Sequence, residues 1–463
     1  MPIRPRPNPF GLGRLTGVRS PHSKRSTGRR TTQFVVVVAL AVIASSCLPI
    51  GTASTNTHAS LKTEFIPAND PGPRSSVPGV SAATRLGAST TSGIETAIAS
   101  SGIRNATGSA PDSNSEKATL SPPEEAPERV WLVADEEQAT NMAALGYQVG
   151  ERVIVASGDL RTLPPETREV ISRASEVRVG PGLDEDSAWQ LEAIRRGYQI
   201  PGGGLLIFEP GFDRRMVAIY GHPSTSGLGV LGEQGPDGGV ERLRSIANDY
   251  GADGSVVLPT FEIIATVASA SAGGDGDYSA MTARDVIRPW IETAAANDMY
   301  VVLDLQSGRT DFLTQAKAYE EFLRLPHVGL ALDPEWRLKP HQVHLAQIGT
   351  VDAAEINQVV EWLAGIVRDE ALPQKLLIVH QFAYSMITNR QHIDTPPELA
   401  VLIHMDGQGS LEGKYNTWNN LTKEPDADQF YWGWKNFYDE DSPTATPEQV
   451  LELTPNPVFV SFQ

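Results

Sequence analysis

Cysteine is almost missing from this chain. Cys47 is the only one in 463 residues, so no internal disulfide can form and no catalytic thiol lies in the body of the protein. Other signatures are missing as well. No GxSxG elbow marks a serine nucleophile, and no GxGxxG follows a strand to cradle a dinucleotide. The run Pro201-Gly202-Gly203-Gly204 precedes strand-like LLIFEP (205–210) instead of joining a strand to a helix, so it reads as a turn. HExxH and His-x-His are absent, so a metal would need ligands gathered singly from separate elements. No apolar run reaches the roughly 20 residues of a spanning helix. Basic residues are scarce: 38 Lys and Arg stand against 56 Asp and Glu, a net charge of −18. A chain this acidic offers no broad electrostatic face to nucleic acid or anionic lipid. It suits a neutral or cationic substrate.

What basic charge exists is concentrated at the start. Residues 1–33 hold eight Lys or Arg and no acid, which leaves −26 for the rest. The basic stretch ends in Arg29-Arg30 and runs into the apolar segment 34–44, then Ser45-Ser46-Cys47. This order predicts a secretory signal over residues 1–47. Ile43-Ala44-Ser45-Ser46-Cys47 resembles the lipobox of bacterial lipoproteins, with Ala44 where Leu is usual. The resemblance implies lipidation at Cys47, export, and anchoring of an extracytoplasmic protein to the cell membrane. An uncleaved anchor and ordinary cleavage are the alternatives.

Residues 48–128 are rich in Ser, Thr, Ala, Gly and Pro without periodicity. Such a segment buries too little apolar surface to offset its ordering entropy, and the expectation is a disordered tether. Residues 129–212 read as a small three-layer α/β module, with strand-like VWLVA (130–134), RVIVAS (152–157) and EVRVG (176–180) alternating with helical stretches. VIVASGDLRTLPPET (153–167) followed by EVRVGPG (176–182) resembles the cell-wall-binding repeats of Gram-positive surface proteins.

Residues 213–463 hold eight strand-like runs, at 216–222, 255–262, 300–306, 328–336, 375–382, 399–407, 430–438 and 457–463. Helical stretches separate most of them. The best has Ile356, Val359, Val360, Leu363, Ile366 and Val367 on one face. Eight such units predict a (β/α)8 barrel, a TIM-like fold. The fifth crossover, 384–398, is short and contains Pro396-Pro397, a weak helix signal. No helix follows the last run, which leaves a seven-stranded or distorted barrel open.

In such barrels, chemistry gathers at the C-terminal strand ends. Those ends carry His222, Glu262, Asp304 with Gln306, Asp333 with Glu335 and Trp336, His380 with Gln381, His404 with Asp406, and Lys435. Residues two apart on a strand share a face, so Asp304 pairs with Gln306, Asp333 with Glu335, and His404 with Asp406. Two carboxylates, one protonated and one ionised, suit glycoside hydrolysis, which needs no cofactor. Glu335 is the candidate general acid and Asp333 its assistant, with Asp304, Asp406 or Glu262 as the second carboxylate. His222, Gln306, His380, Gln381, His404, Trp336 and Lys435 are candidate substrate contacts. Trp336, Tyr384, Trp418, Trp432 and Trp434 are expected near the mouth as stacking surfaces for sugar rings.

The run Gly329-Leu-Ala-Leu-Asp333-Pro-Glu335-Trp336 resembles a shortened form of the acidic strand-four motif of chitinase-type glycoside hydrolases. Met405-Asp406 is loosely similar to that family's strand-six motif, without its Tyr. The resemblance implies Glu335 as the acid, Asp333 as its helper, and a glycan or cell-wall polymer as partner. Two other readings stay open. His222, His380 and His404 with nearby carboxylates offer ligand types for metal-dependent phosphodiester or amide hydrolysis. A sugar- or wall-binding lipoprotein without catalysis would also fit.

Overall fold

The structure, a computed structural model, describes residues 129–142, 146–148, 151–183 and 186–463. The expected signal segment, Cys47 and the expected tether therefore lie outside the described residues. Two compact units are present. One takes in 129–157 and 166–183. Its three strands are parallel, with Arg129–Val133 in the middle, flanked by Arg152–Val155 and Glu176–Val179. Val130, Leu132 and Val133 are fully buried, which explains why the apolar run VWLV takes the central position.

The other unit takes in 158–165 and 186–463 and contains the barrel. Its eight strands, in order, are Arg214–Gly221, Val256–Ala268, Tyr300–Leu305, Val328–Leu332, Lys375–His380, Leu399–Met405, Tyr431–Asn436 and Phe459–Phe462. Each pairs in parallel with the next, and the eighth pairs in parallel with the first. The sheet is closed, so the (β/α)8 reading holds and the seven-stranded alternative falls. Strand eight reaches strand one directly, and closure needs no helix after it.

Alternation along the strands sorts the side chains. Met216, Ala218, Leu258, Tyr300, Val302, Ala331, Leu376, Ile378, Ala400, Leu402 and Phe459 fill the interior. Their neighbours, such as Val217, Ile263, Val301, Leu377 and Ile403, face outward into the helical layer. Burial on both faces is why these runs are apolar throughout rather than alternating with polar residues. The helix Ala353–Asp369 buries the stripe its periodicity predicts. Asp352 caps it by accepting from Ala354 N at 3.1 Å.

Three expectations change. LLIFEP (205–210) is not a strand. A closed barrel has no free edge to receive it. Instead Ile207, with Ile200, joins the interior cluster and plugs the end where strand five begins, and Gln374 N donates to Leu205 O at 2.8 Å. The fifth crossover, 384–398, has no α-helix, only single turns such as Tyr384–Met386 and Arg390–His392. Strand two runs past its expected end to Ala268, through a register shift near Ile264, and its tip pairs with the antiparallel Ser279–Met281.

Gly329 shows how tightly the interior is filled. A Cβ there would sit 2.6 Å from Leu376 O and 3.1 Å from the Tyr300 ring. Gly329→Ala is expected to cost about 1–3 kcal/mol through overpacking, read as a lower urea midpoint at unchanged slope. An unchanged midpoint would mean that strand four has slack.

Candidate active site

The inward alternation that fills the interior with apolar residues continues to the C-terminal end, where it delivers polar ones. Tyr220, Glu262, Asp304, His380, His404, Lys435 and Ser461 follow the interior residues of their strands at intervals of two. All are buried. His380 lies at the centre. Its Nδ1 is 3.1 Å from Asp406 Oδ2, and its Nε2 is 3.4 Å from Glu262 Oε1 and 3.6 Å from Asp304 Oδ1. Acids from the ends of strands two, three and six therefore converge on one imidazole.

A second layer fixes these groups. Tyr220 Oη donates to Asp304 Oδ2 at 2.8 Å and accepts from Gln306 Nε2 at 3.2 Å. Gln306 is held in turn by Ala268 N, 2.9 Å from its Oε1. Lys435 Nζ sits 3.3 Å from the centroid of the Tyr220 ring, a close cation–π contact. His404 Nε2 and Ser461 Oγ are 3.1 Å apart, and the His404 and His380 rings stand 5.2 Å apart. Tyr220 and Ser461 were not among the sequence candidates. Both follow from the alternation rule, Tyr220 from Ala218 and Ser461 from Phe459, but a Tyr or Ser beside acids and imidazoles draws less attention.

Strand four departs from the expected geometry. The strand ends at Leu332, and Pro334–Trp336 forms a 3₁₀ turn. Asp333 caps that turn by accepting from Glu335 N at 3.1 Å. Asp333 and Glu335 are thus related by a cap rather than by strand alternation. Proline after Asp333 is the physical reason, since it supplies no ladder donor and starts a turn. Glu335 and Trp336 remain half-buried while Asp333 is buried.

Electrostatics separates the acids. Burial raises Glu335, and the charge of Asp406 adds to it, bringing the carboxyl up to about 8. Asp333 is also pushed well up, by burial first and then by Asp304 and Asp406. Asp304 rises to about 6, chiefly by burial, with the His380 charge pulling the other way. Asp406 is lowered: burial opposes ionisation, but His380 and then Lys435 outweigh it. His380 is raised well above an ordinary imidazole, since Asp406, Glu262 and Asp304 overcome its burial. His404, buried and facing His380, is driven well down. Both Glu262 oxygens, Asp304 Oδ1 and Asp406 Oδ1 are buried without a hydrogen-bond partner. Unsatisfied buried oxygens are costly, so a cluster of them marks a functional candidate.

Several expected residues stand elsewhere. His222 is engaged on both sides: Ser224 N donates to its Nδ1 at 3.1 Å, and Nε2 meets Thr282 Oγ1 at 3.0 Å. Its neutral form is favoured, with burial lowering it to about 4. Gln381 follows the outward parity of Val379 and accepts from Arg390 Nη1 at 2.9 Å, outside the ring. Trp418, Trp432 and Trp434 pack on one another in the helical layer and are core residues, not mouth aromatics. Tyr384 is exposed in the turn after strand five. Trp336 alone of the five neighbours the acid, with its ring 5.3 Å from that of His344. Among the described residues, no group of three or more His, Cys, Asp or Glu is placed to hold a metal ion.

No family model matches the chain, and no curated protein matches it. Among solved structures, a dihydropteroate synthase from Xanthomonas albilineans, in complex with indole-2-carboxylic acid and 6-chloroguanine, is similar at 11% identity with a TM-score of 0.25. The match covers 54% of this chain and 88% of that one.

Proposed function

We propose that the barrel is a hydrolase acting on a glycan or related polymer of the cell envelope, with Glu335 as general acid and Asp406 as the second carboxylate. One observation carries the reading. Two carboxyls that influence each other have been driven apart, Glu335 up to about 8 and Asp406 down. Environments that split a pair in this way assign the acid and the base. Asp406 is favoured over Asp304 and Glu262 because it retains some accessible surface while those two have none.

In this mechanism, the Glu335 carboxyl gives its proton to the glycosidic oxygen as the bond to the anomeric carbon breaks. The Asp406 carboxylate either attacks that carbon or takes a proton from an attacking water. His380 and Lys435 keep Asp406 ionised, and Tyr220 and Gln306 hold Asp304 in the ring behind it. Trp336 offers an indole face to a sugar ring beside the acid. The lipobox-like segment at Cys47 would keep the enzyme at the outer membrane face, next to its polymer.

The test is release of reducing ends from a panel of envelope polysaccharides across pH. Turnover is expected to hold through neutral pH and to fall as pH rises through about 8, where Glu335 loses its proton. Binding without release on every polymer would instead favour a sugar-binding protein.

A further inference from the structure

Behind the ring is a buried ion pair that the mechanism does not use. Lys414, in the helix Leu411–Leu421 after strand six, is 2% exposed. Its Nζ donates to the Lys435 backbone carbonyl at 2.7 Å and pairs with Asp441 Oδ2, under the Trp434 and Phe437 rings. Asp441 receives two backbone donors besides, Gly409 N on Oδ1 and Phe437 N on Oδ2, each at 3.0 Å. Ser442 N donates to Gly409 O at 3.1 Å.

These contacts fall in a telling place. Gly409 lies three residues beyond Asp406, so both its N–H and its carbonyl are tied to the segment after strand seven. Phe437 follows strand seven by one residue, and Lys435 is held by its own carbonyl. One charge pair therefore fastens together the two strand ends that carry Asp406 and Lys435. Lys414 is also within electrostatic reach of both, because after burial and its Asp441 partner, the charges of Asp406 and Lys435 act on it. A surface pair would add little. A dry pair sharing its remaining bonds with backbone groups sets a fixed geometry.

We infer that Lys414 and Asp441 are positioning residues that hold Asp406 against His380 and Lys435 over Tyr220. The inference rests on the proposed role of Asp406, and its test is arranged so that the two stand or fall separately. The lead variant is Asp441→Asn, which keeps the size and one acceptor oxygen but removes the charge. Lys414→Arg serves as the charge-conserving control, and Lys414→Met/Asp441→Asn, which leaves no unpaired buried charge, replaces the lead if that variant does not fold. The readout is the titration of His380 by NMR on protein labelled at its nine histidines. With Asp406 released, His380 should titrate at least about one pH unit lower than in the wild type, a tenfold change in its proton affinity. Lys414→Arg, with Asp441 intact, keeps the charge pair and should leave the His380 titration close to that of the wild type. On any glycan the enzyme turns over, kcat should fall with KM little changed. An unmoved His380 titration in a folded variant overturns the inference whatever the activity. A shifted titration with no glycan cleaved by wild type keeps the inference and removes the hydrolase reading.

Discussion

Glu335→Gln is expected to abolish most glycan cleavage, by about 10²–10⁴-fold, while leaving the fold intact and making it increasingly more stable than wild type as pH rises from 4.5 to about 8. The two effects have one cause. The folded protein holds a proton on Glu335 up to about 8, whereas an ordinary glutamate releases it near 4.5. Between those values the native state binds a proton that the unfolded chain does not, so stability falls as pH rises through the window. Below 4.5 both states are protonated and Glu335 adds no pH dependence. Glutamine is a permanent neutral mimic of the acid. The variant should match wild type in urea melts at pH 4 and exceed it near pH 9, by about 3 kcal/mol once partial solvent access is allowed for. Full activity in the variant would remove Glu335 from the mechanism. Loss of activity without the pH-dependent gain in stability would mean that its carboxyl is not held neutral.

Much of this arrangement was legible in the sequence because it depends on two simple periods. A strand's alternation carries apolar residues inward along its length and polar ones at its tip. Asp304 after Val302, or His380 after Ile378, could be placed without coordinates. What the period could not supply was the moment at which it stops. At Asp333 the strand gives way to a turn begun by Pro334, and Glu335 arrives by capping geometry. At Gln381 the same alternation turns the side chain outward, although its neighbour His380 is central. The tryptophans misled for a different reason. Aromatic content suggests stacking surfaces, but Trp432 and Trp434 have the outward parity of their strand and belong to the core, as the count by twos from Lys435 implies. The Lys414–Asp441 pair was invisible because a helix residue and a loop residue 27 positions apart meet only when the crossovers close.

Replacing His380 is expected to give the largest loss of stability in the barrel. The imidazolium is the shared counter-charge of the acids around it; His380, Glu262 and Asp304 are fully buried and Asp406 nearly so. Removing one partner of such a cluster strands the others, which costs about 3–5 kcal/mol. His380→Gln, chosen to retain bulk, should therefore lower the urea midpoint markedly at pH 7. The sign of the pH dependence distinguishes this account from a simple packing defect. His380 is raised in the folded state, so its stabilising effect is complete below an ordinary imidazole value and fades as pH climbs through its elevated one. Its acid partners limit the effect from the other side. Asp304, raised to about 6, takes up a proton as pH falls and no longer needs a counter-charge. The gap between wild type and variant should accordingly be widest near neutrality and narrow toward pH 5. A gap of constant size across pH would point to lost packing, and no gap at all would mean that the acids are neutral in the native state and the ring needs no cation at its centre.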